Sequence, residues 1–255
     1  MPIALQRINE LSRGESESRT LTEIHAIDFN MLITGLDLLD ASGMRSLPQL
    51  GQIGIAQRMR TAAAHLVCYA DESAVRALAY HRSDTVRGIA AFAIAQLSKE
   101  TRVPELLSII EPFANDPHFG VREWAWMAVR NDLAANLDAS IEKLAAWTSS
   151  DQPFIRRFAI EVLRPRGVRA KHIALLREEP ERCMPLLDPL KRELDRYVQD
   201  SVANWLNDAA KDHPGWVDAL CEHWLDECGT NRATLRICTH ARRSLKWNRP
   251  KSRTV

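Results

Sequence analysis

The stretch Gly120-Val121-Arg122-Glu123-Trp124-Ala125-Trp126-Met127-Ala128 contains a pattern that recurs along the chain: a turn residue, a β-branched apolar residue, an arginine, then an alanine-centred apolar helix. Upstream it reads Asp84-Thr85-Val86-Arg87 leading to Ala90, and downstream Phe154-Ile155-Arg156 leading to Ala159. Looser copies begin at Tyr197-Val198-Gln199 and at Thr234-Leu235-Arg236. The arginine-equivalent positions are 35, 34, 43 and 37 residues apart. Periods of that size belong to stacked helical hairpins, because each unit buries its apolar face only against its neighbours. Asp116-Pro117, Asp151 before Pro153, and Asp195 stand where helix starts need loop and capping residues. The expected fold is all-α: an α-solenoid of HEAT-like repeats forming one domain over residues 1–245.

Residues 1–50 are less regular. Asn9 to Leu11 and Leu21 to Leu39 carry helical spacing, broken by Gly14, Gly35 and Gly43. An atypical N-terminal helical cap is expected there, since terminal repeats must present a polar outer side. Residues 246–255 are basic without apolar periodicity and are expected to be a mobile tail.

Composition agrees with a helical globular protein. Of 255 residues, 45% are hydrophobic and 26% charged, which excludes a disordered or collagen-like chain. Only 10 Gly and 12 Pro argue against a turn-dense β architecture. The net charge of +1 conceals an asymmetry: eight Lys and Arg and no acid follow Asn231, so the other 230 residues carry −7. The five cysteines are scattered and never form C-x-x-C, which points away from a disulfide framework or zinc knuckle. No run approaches the roughly 18 apolar residues of a membrane span, and no leader pattern opens the chain. A cytoplasmic monomer without metal or cofactor, in a bacterial-type cytosol or nucleoid, is the expectation.

Helix faces suggest a site. From Val121, the apolar stripe is Val121, Trp124, Ala125 and Ala128, leaving Glu123, Trp126, Met127 and Arg130 opposite. From Ile155, the stripe leaves Arg157, Glu161 and Arg164 opposite, and from Val198 it leaves Asp200, Asn204, Asn207 and Asp208. In a solenoid these faces line up into one surface, with acids in the middle and arginines at the edges. A solvated face would read similarly, but Asp and Asn are poor helix-interior residues, costing roughly 0.5 kcal/mol each relative to better formers. A second cluster, Arg156, Arg157, Arg164, Arg166, Arg169 and Lys171, surrounds a turn, because Pro165 pushes Arg164 out of helical conformation. Such guanidiniums suit phosphates, or simply surface ion pairs.

The segments Val121 to Trp126, Ile155 to Glu161 with Arg164-Pro165-Arg166-Gly167, and Tyr197 to Asp208 with Lys211-Asp212-His213-Pro214 resemble the DNA alkylation repair family, more closely its AlkC branch of HEAT-like-repeat DNA glycosylases. The resemblance extends from the helices after Leu21 to about Leu245. It implies a concave face that holds duplex DNA and hydrolysis of the N-glycosidic bond of cationic bases such as 3-methyladenine and 3-methylcytosine. Some AlkC proteins add an immunoglobulin-like C-terminal domain, which this chain is expected to lack.

Such a base is already a good leaving group, so stabilising the oxocarbenium-like sugar matters most. Glu123, Glu161 and Asp208 are the expected catalytic carboxylates, by analogy with paired acids in sugar hydrolysis. Trp126, Asp200 and Asn204 are expected to contact the lesion or sugar, Trp126 through a cation–π interaction of about 1–2 kcal/mol. Arg157, Arg164, Arg166, Lys171, Arg242 and Arg243 are expected on phosphates. A non-catalytic scaffold binding a protein partner, or an inactive lesion-binding paralogue, would use the same surface.

Overall fold

A computed structural model describes residues 3–98, 101–167 and 170–247, with the side chains of residues 246 and 247 left aside. The described residues form helices and turns with no strand. Two compact units divide the chain, Met1–Val129 and Arg130–Val255. The expected tail at 246–255 lies outside the described side chains.

The first unit opens with four short helices, α1 (Leu5–Ser12), α2 (Leu21–Ala26), α3 (Phe29–Gly35) and α4 (Ala41–Ser46). Thr20, Asp28 and Asp40 each cap the helix that follows by accepting a backbone N–H in its first turn, satisfying donors that have no intrahelical partner. Longer helices follow: α5 (Ile55–Tyr69), α6 (Glu72–Ala77), α7 (Asp84–Leu97), α8 (Val103–Ala114) and the start of α9 (Phe119–Ala135). Helices α5 and α7 pack closely. Small residues permit this: a methyl at Gly88 would stand 2.5 Å from Trp124 Cδ1 and 2.7 Å from Met59 Cε.

The second unit contains the rest of α9, α10 (Leu137–Trp147), α11 (Pro153–Glu161), α12 (Ala174–Glu178), α13 (Met184–Leu187), α14 (Arg196–Ala209), α15 (Pro214–Cys228) and α16 (Arg232–Ala241). Helix α14 packs between α11 and α16. Short helices and 3₁₀ turns fill the stretch between α11 and α14, which accounts for the long 43-residue interval.

In the first four copies of the repeat the arginine, or its substitute, has one structural job: at the start of its helix it donates to carbonyls five or six residues back, tying down the preceding loop. In the fifth, Arg236 instead donates to Gln199 Oε1 and Asp200 Oδ1. Arg87 donates to His81 O and Arg82 O, and Arg122 to Asp116 O and Pro117 O. Arg156 donates to Ser150 O, and Gln199, the amide substitute, to Glu193 O and Leu194 O. Arg87 also pairs with Asp116, at 2.8 Å, and Arg156 with Glu193, at 2.7 Å. In both cases the acid sits in the loop that the next repeat's side chain clamps. Nearly buried, these charges are compensated on both sides.

Helix α9 departs from its amphipathic reading. Trp126 is 2% exposed, and Met127 and Arg130 are buried with it, although helical spacing puts all three on the polar side. A helix covered on nearly all sides has no solvent face for periodicity to reveal. Likewise Arg157 and Glu161 of α11, and Asn207 and Asp208 of α14, are buried instead of lining an open polar surface. The carboxylates of Glu161 and Asp208 and the amide of Asn207 find internal partners, as burial requires.

Candidate functional site

In the first unit, Glu123 is half-buried on α9 and Trp126 Nε1 donates to its Oε2 at 2.9 Å, one turn along the helix. Buried, with its polar edge committed to Glu123, Trp126 serves as a packing residue that orients this carboxylate.

Glu161 and Asp208 lie in the second unit, joined by Arg164. Pro165 ends the α11 region, and Arg164 turns back so that Nη1 donates to Glu161 Oε1 at 2.8 Å. Its Nη2 and Nε donate to Asp208 Oδ2 at 2.6 and 2.9 Å. Ser201 Oγ donates to Glu161 Oε2 at 2.9 Å, and Lys211 Nζ to Asp208 Oδ1 at 2.9 Å. Arg157 approaches Glu161 to 3.7 Å and stacks over the Tyr197 ring, 4.3 Å from its centre. Burial raises the Glu161 carboxyl, but Arg157 and Arg164 lower it, and it ends below the usual carboxylate range. Burial disfavours the Arg164 cation, yet Glu161 and Asp208 more than offset this and raise it. Glu161 and Arg164 are therefore held ionised against each other.

Sequence spacing gives Arg130 no site role, but the structure places it at the base of the loop that carries Arg164. Almost fully buried, it donates to Val162 O and Arg164 O, both at 2.6 Å, and to Lys171 O at 3.2 Å. It closes the loop that carries Arg164, Arg166 and Lys171. Burial and the nearby Arg164 bring its guanidinium down to about 10. The only sequence signal was a cation four residues after Trp126, which resembles any solvated arginine.

The arginines expected on phosphates differ in availability. Arg166 pairs with Asp212 at 2.6 Å, which also accepts from Arg177, and Arg242 pairs with Asp218 at 2.8 Å. Arg157 is buried, whereas Lys171 and Arg243 are exposed. The α14 residues expected near the lesion are held by cations from the C-terminal helices: Asp200 Oδ1 accepts from Arg236 at 2.6 Å, and Asn204 Oδ1 from Arg243 at 2.9 Å. Among the described residues no group of three or more His, Cys, Asp or Glu could hold a metal ion, and no helix is long and apolar enough to cross a membrane.

The fold and the ion-paired polar core of its second unit define a HEAT-like helical-repeat protein. Residues 123–239, which contain α11, α14 and most of α16, match the family model described as DNA alkylation repair enzyme. Among solved structures, the chain is similar to Pseudomonas fluorescens alkylpurine DNA glycosylase AlkC bound to DNA containing an abasic site analog. The TM-score is 0.68 at 27% identity, covering 96% of this chain and 66% of that one. AlkD2 from Streptococcus mutans shares the fold, with a TM-score of 0.61 at 20% identity over 73% of this chain and 88% of the other. The uncharacterized protein YhaZ of Bacillus subtilis is 36% identical over 118 residues, 46% of this chain and 32% of YhaZ. The chain thus spans about a third of YhaZ and just under two thirds of AlkC.

Proposed function

We propose that the protein is a DNA glycosylase that removes cationic N-alkylated bases, 3-methyladenine and 3-methylcytosine, from duplex DNA by hydrolysing the N-glycosidic bond. The observation that carries this reading is the likeness to AlkC along 96% of the chain, with the carboxylates Glu123, Glu161 and Asp208 all inside the family-matched segment. An N3-alkylated base departs without protonation, so the requirement is negative charge placed for the oxocarbenium-like sugar and for an attacking water. Glu123 is the half-buried carboxylate of the three and takes the water-orienting role. Its carboxylate accepts the proton of the attacking water as the new C1′–O bond forms and the base leaves with the glycosidic electron pair. Glu161 and Asp208 are buried and each meets Arg164, so they act by holding that guanidinium in place. Lys171 and Arg243 meet the backbone phosphates. The protein works as a monomer in the cytoplasm.

The test is release of free 3-methyladenine from methylated duplex DNA at enzyme excess. Release above a heat-killed control supports the reading, and its absence overturns it. Glu123→Gln lowers the rate by about 10²-fold or more with DNA binding kept, the scale seen when a stabilising group is removed from a reacting centre. Release with Glu123→Gln unaffected removes Glu123 from the chemistry.

A further inference from the structure

Helices α15 and α16 pack together as a hairpin joined by residues 229–231. Cys221 lies seven residues before the end of α15 and Cys238 six residues after the start of α16, so at a rise of about 1.5 Å per residue the two stand level across the hairpin. Cys238 Sγ is 3.7 Å from Cys221 O, and the two free thiols also meet side chain to side chain. We propose that Cys221 and Cys238 form a redox-sensitive dithiol, which hydrogen peroxide oxidises reversibly to a disulfide that clasps α15 to α16. Neither thiol has a role in base removal.

The hairpin fixes the pair in register. Gly229 takes the turn at φ 57°, and Asn231 caps α16 by accepting from the backbone N–H groups of Ala233 and Thr234. Thr234 Oγ1 donates to Lys191 O at 2.7 Å, which anchors the start of α16 from outside the hairpin. A disulfide tolerates little variation in the separation of its two side chains, so a preset register favours closure. The surroundings then divide the labour between the sulfurs. Contact with the Cys238 thiol and the nearby Arg242 cation lower the Cys221 thiol, against the opposing effects of burial and Asp218, while the same contact and burial push Cys238 up. Cys221 is therefore the attacking thiolate and Cys238 the resolving thiol. The thiolate attacks peroxide, the O–O bond breaks, and Cys221 becomes a sulfenic acid as hydroxide leaves. Cys238 sulfur then attacks Cys221 sulfur, the S–S bond forms, the S–O bond breaks, and the oxygen departs with the Cys238 proton as water. Both cysteines are buried, so the reaction runs through local opening of the hairpin, which admits a small oxidant and excludes bulky ones. Cys183 lacks this arrangement: burial alone pushes its thiol up.

The experiment is peptide mapping of the full chain, treated with hydrogen peroxide under native conditions, blocked with N-ethylmaleimide and digested without reduction. A peptide pair linked through Cys221 and Cys238 is expected, and dithiothreitol before blocking returns both as alkylated thiols. Amide hydrogen exchange in α15 and α16 slows about tenfold on oxidation and recovers on reduction. Cys238→Ser loses the link and gains oxygen at Cys221, as an attacking thiolate without its resolving partner must. Cys228→Ser keeps the link, although Cys228 is less buried and accepts from Arg192 Nε at 3.1 Å. The map of the parent chain decides the matter even if a serine variant fails to fold. Recovery of Cys221 and Cys238 as alkylated thiols at peroxide excess overturns the dithiol. So does a link from either of them to Cys228, which would place the reactive pair elsewhere. A link that forms only in urea also overturns it, since the pair would then be inert in the folded protein.

Discussion

Arg164 bridges Glu161 and Asp208, with both its Nη2 and Nε on the single oxygen Asp208 Oδ2, at 2.6 and 2.9 Å. This guanidinium joins the loop after α11 to the last turn of α14. Replacing Asp208 by Ala leaves a largely buried cation with Glu161 as its remaining carboxylate. A loss of about 3 kcal/mol in urea unfolding is expected, the scale for breaking one side of a buried pair. A loss below 0.5 kcal/mol would show that water replaces the carboxylate freely.

Arg130 holds the loop from Val162 to Lys171 by its carbonyls. Arg130→Met leaves those acceptors unpaired, at roughly 1–3 kcal/mol for each one that water cannot reach. Hydrogen exchange of the backbone from Val162 to Ile173 should quicken at least tenfold more than that of α16. Uniform quickening across the second unit would mean that Arg130 serves only global stability.

Asp212 accepts from Arg177 and Arg166, and these contacts hold its carboxyl at about 2, below its ordinary 3.8. A depressed carboxylate favours the folded state above its unfolded value. This contribution is complete above about pH 4 and drains away as pH falls towards 2. Asp212→Asn should therefore flatten the fall in melting temperature between pH 4 and pH 2. A profile superimposable on the parent's would contradict the pairing.

Gly88 lies against Trp124 and Met59 with no room for a methyl. Gly88→Ala should destabilise by about 1–3 kcal/mol despite the better helix propensity of alanine, because overpacking forces side chains off their rotamers. A gain in melting temperature would show that Met59 moves aside without cost.

The helical repeat was legible in sequence because its determinants are local. The arginine that opens α7, α9 and α11 clamps carbonyls no more than six residues behind it, so its spacing marks each repeat. Proline at the start of α11 and α15, and the capping Asp195, mark boundaries by the same short-range physics. Burial was less legible. Glu161, Asn207 and Asp208 are polar letters at helical offsets that also describe a wet face, and Trp126 was placed on that face by spacing alone. Their burial depends on partners far away in sequence: Asp208 meets Arg164 across 44 residues, and Asn207 donates to Ala241 O across 34.

By itself the sequence determined that this is an all-α chain of repeated helical hairpins, where those hairpins begin, and which family its central segment resembles. The tertiary structure decided which charges are spent inside the protein and which remain for a ligand. An ion pair forms wherever packing brings opposite charges together out of water, and α11 and α14 do so for Glu161, Arg164 and Asp208. By contrast, Arg232 and Arg243 stay exposed on the outer side of α16 and the turn after it, and only coordinates distinguish them from the arginines already neutralised within the fold.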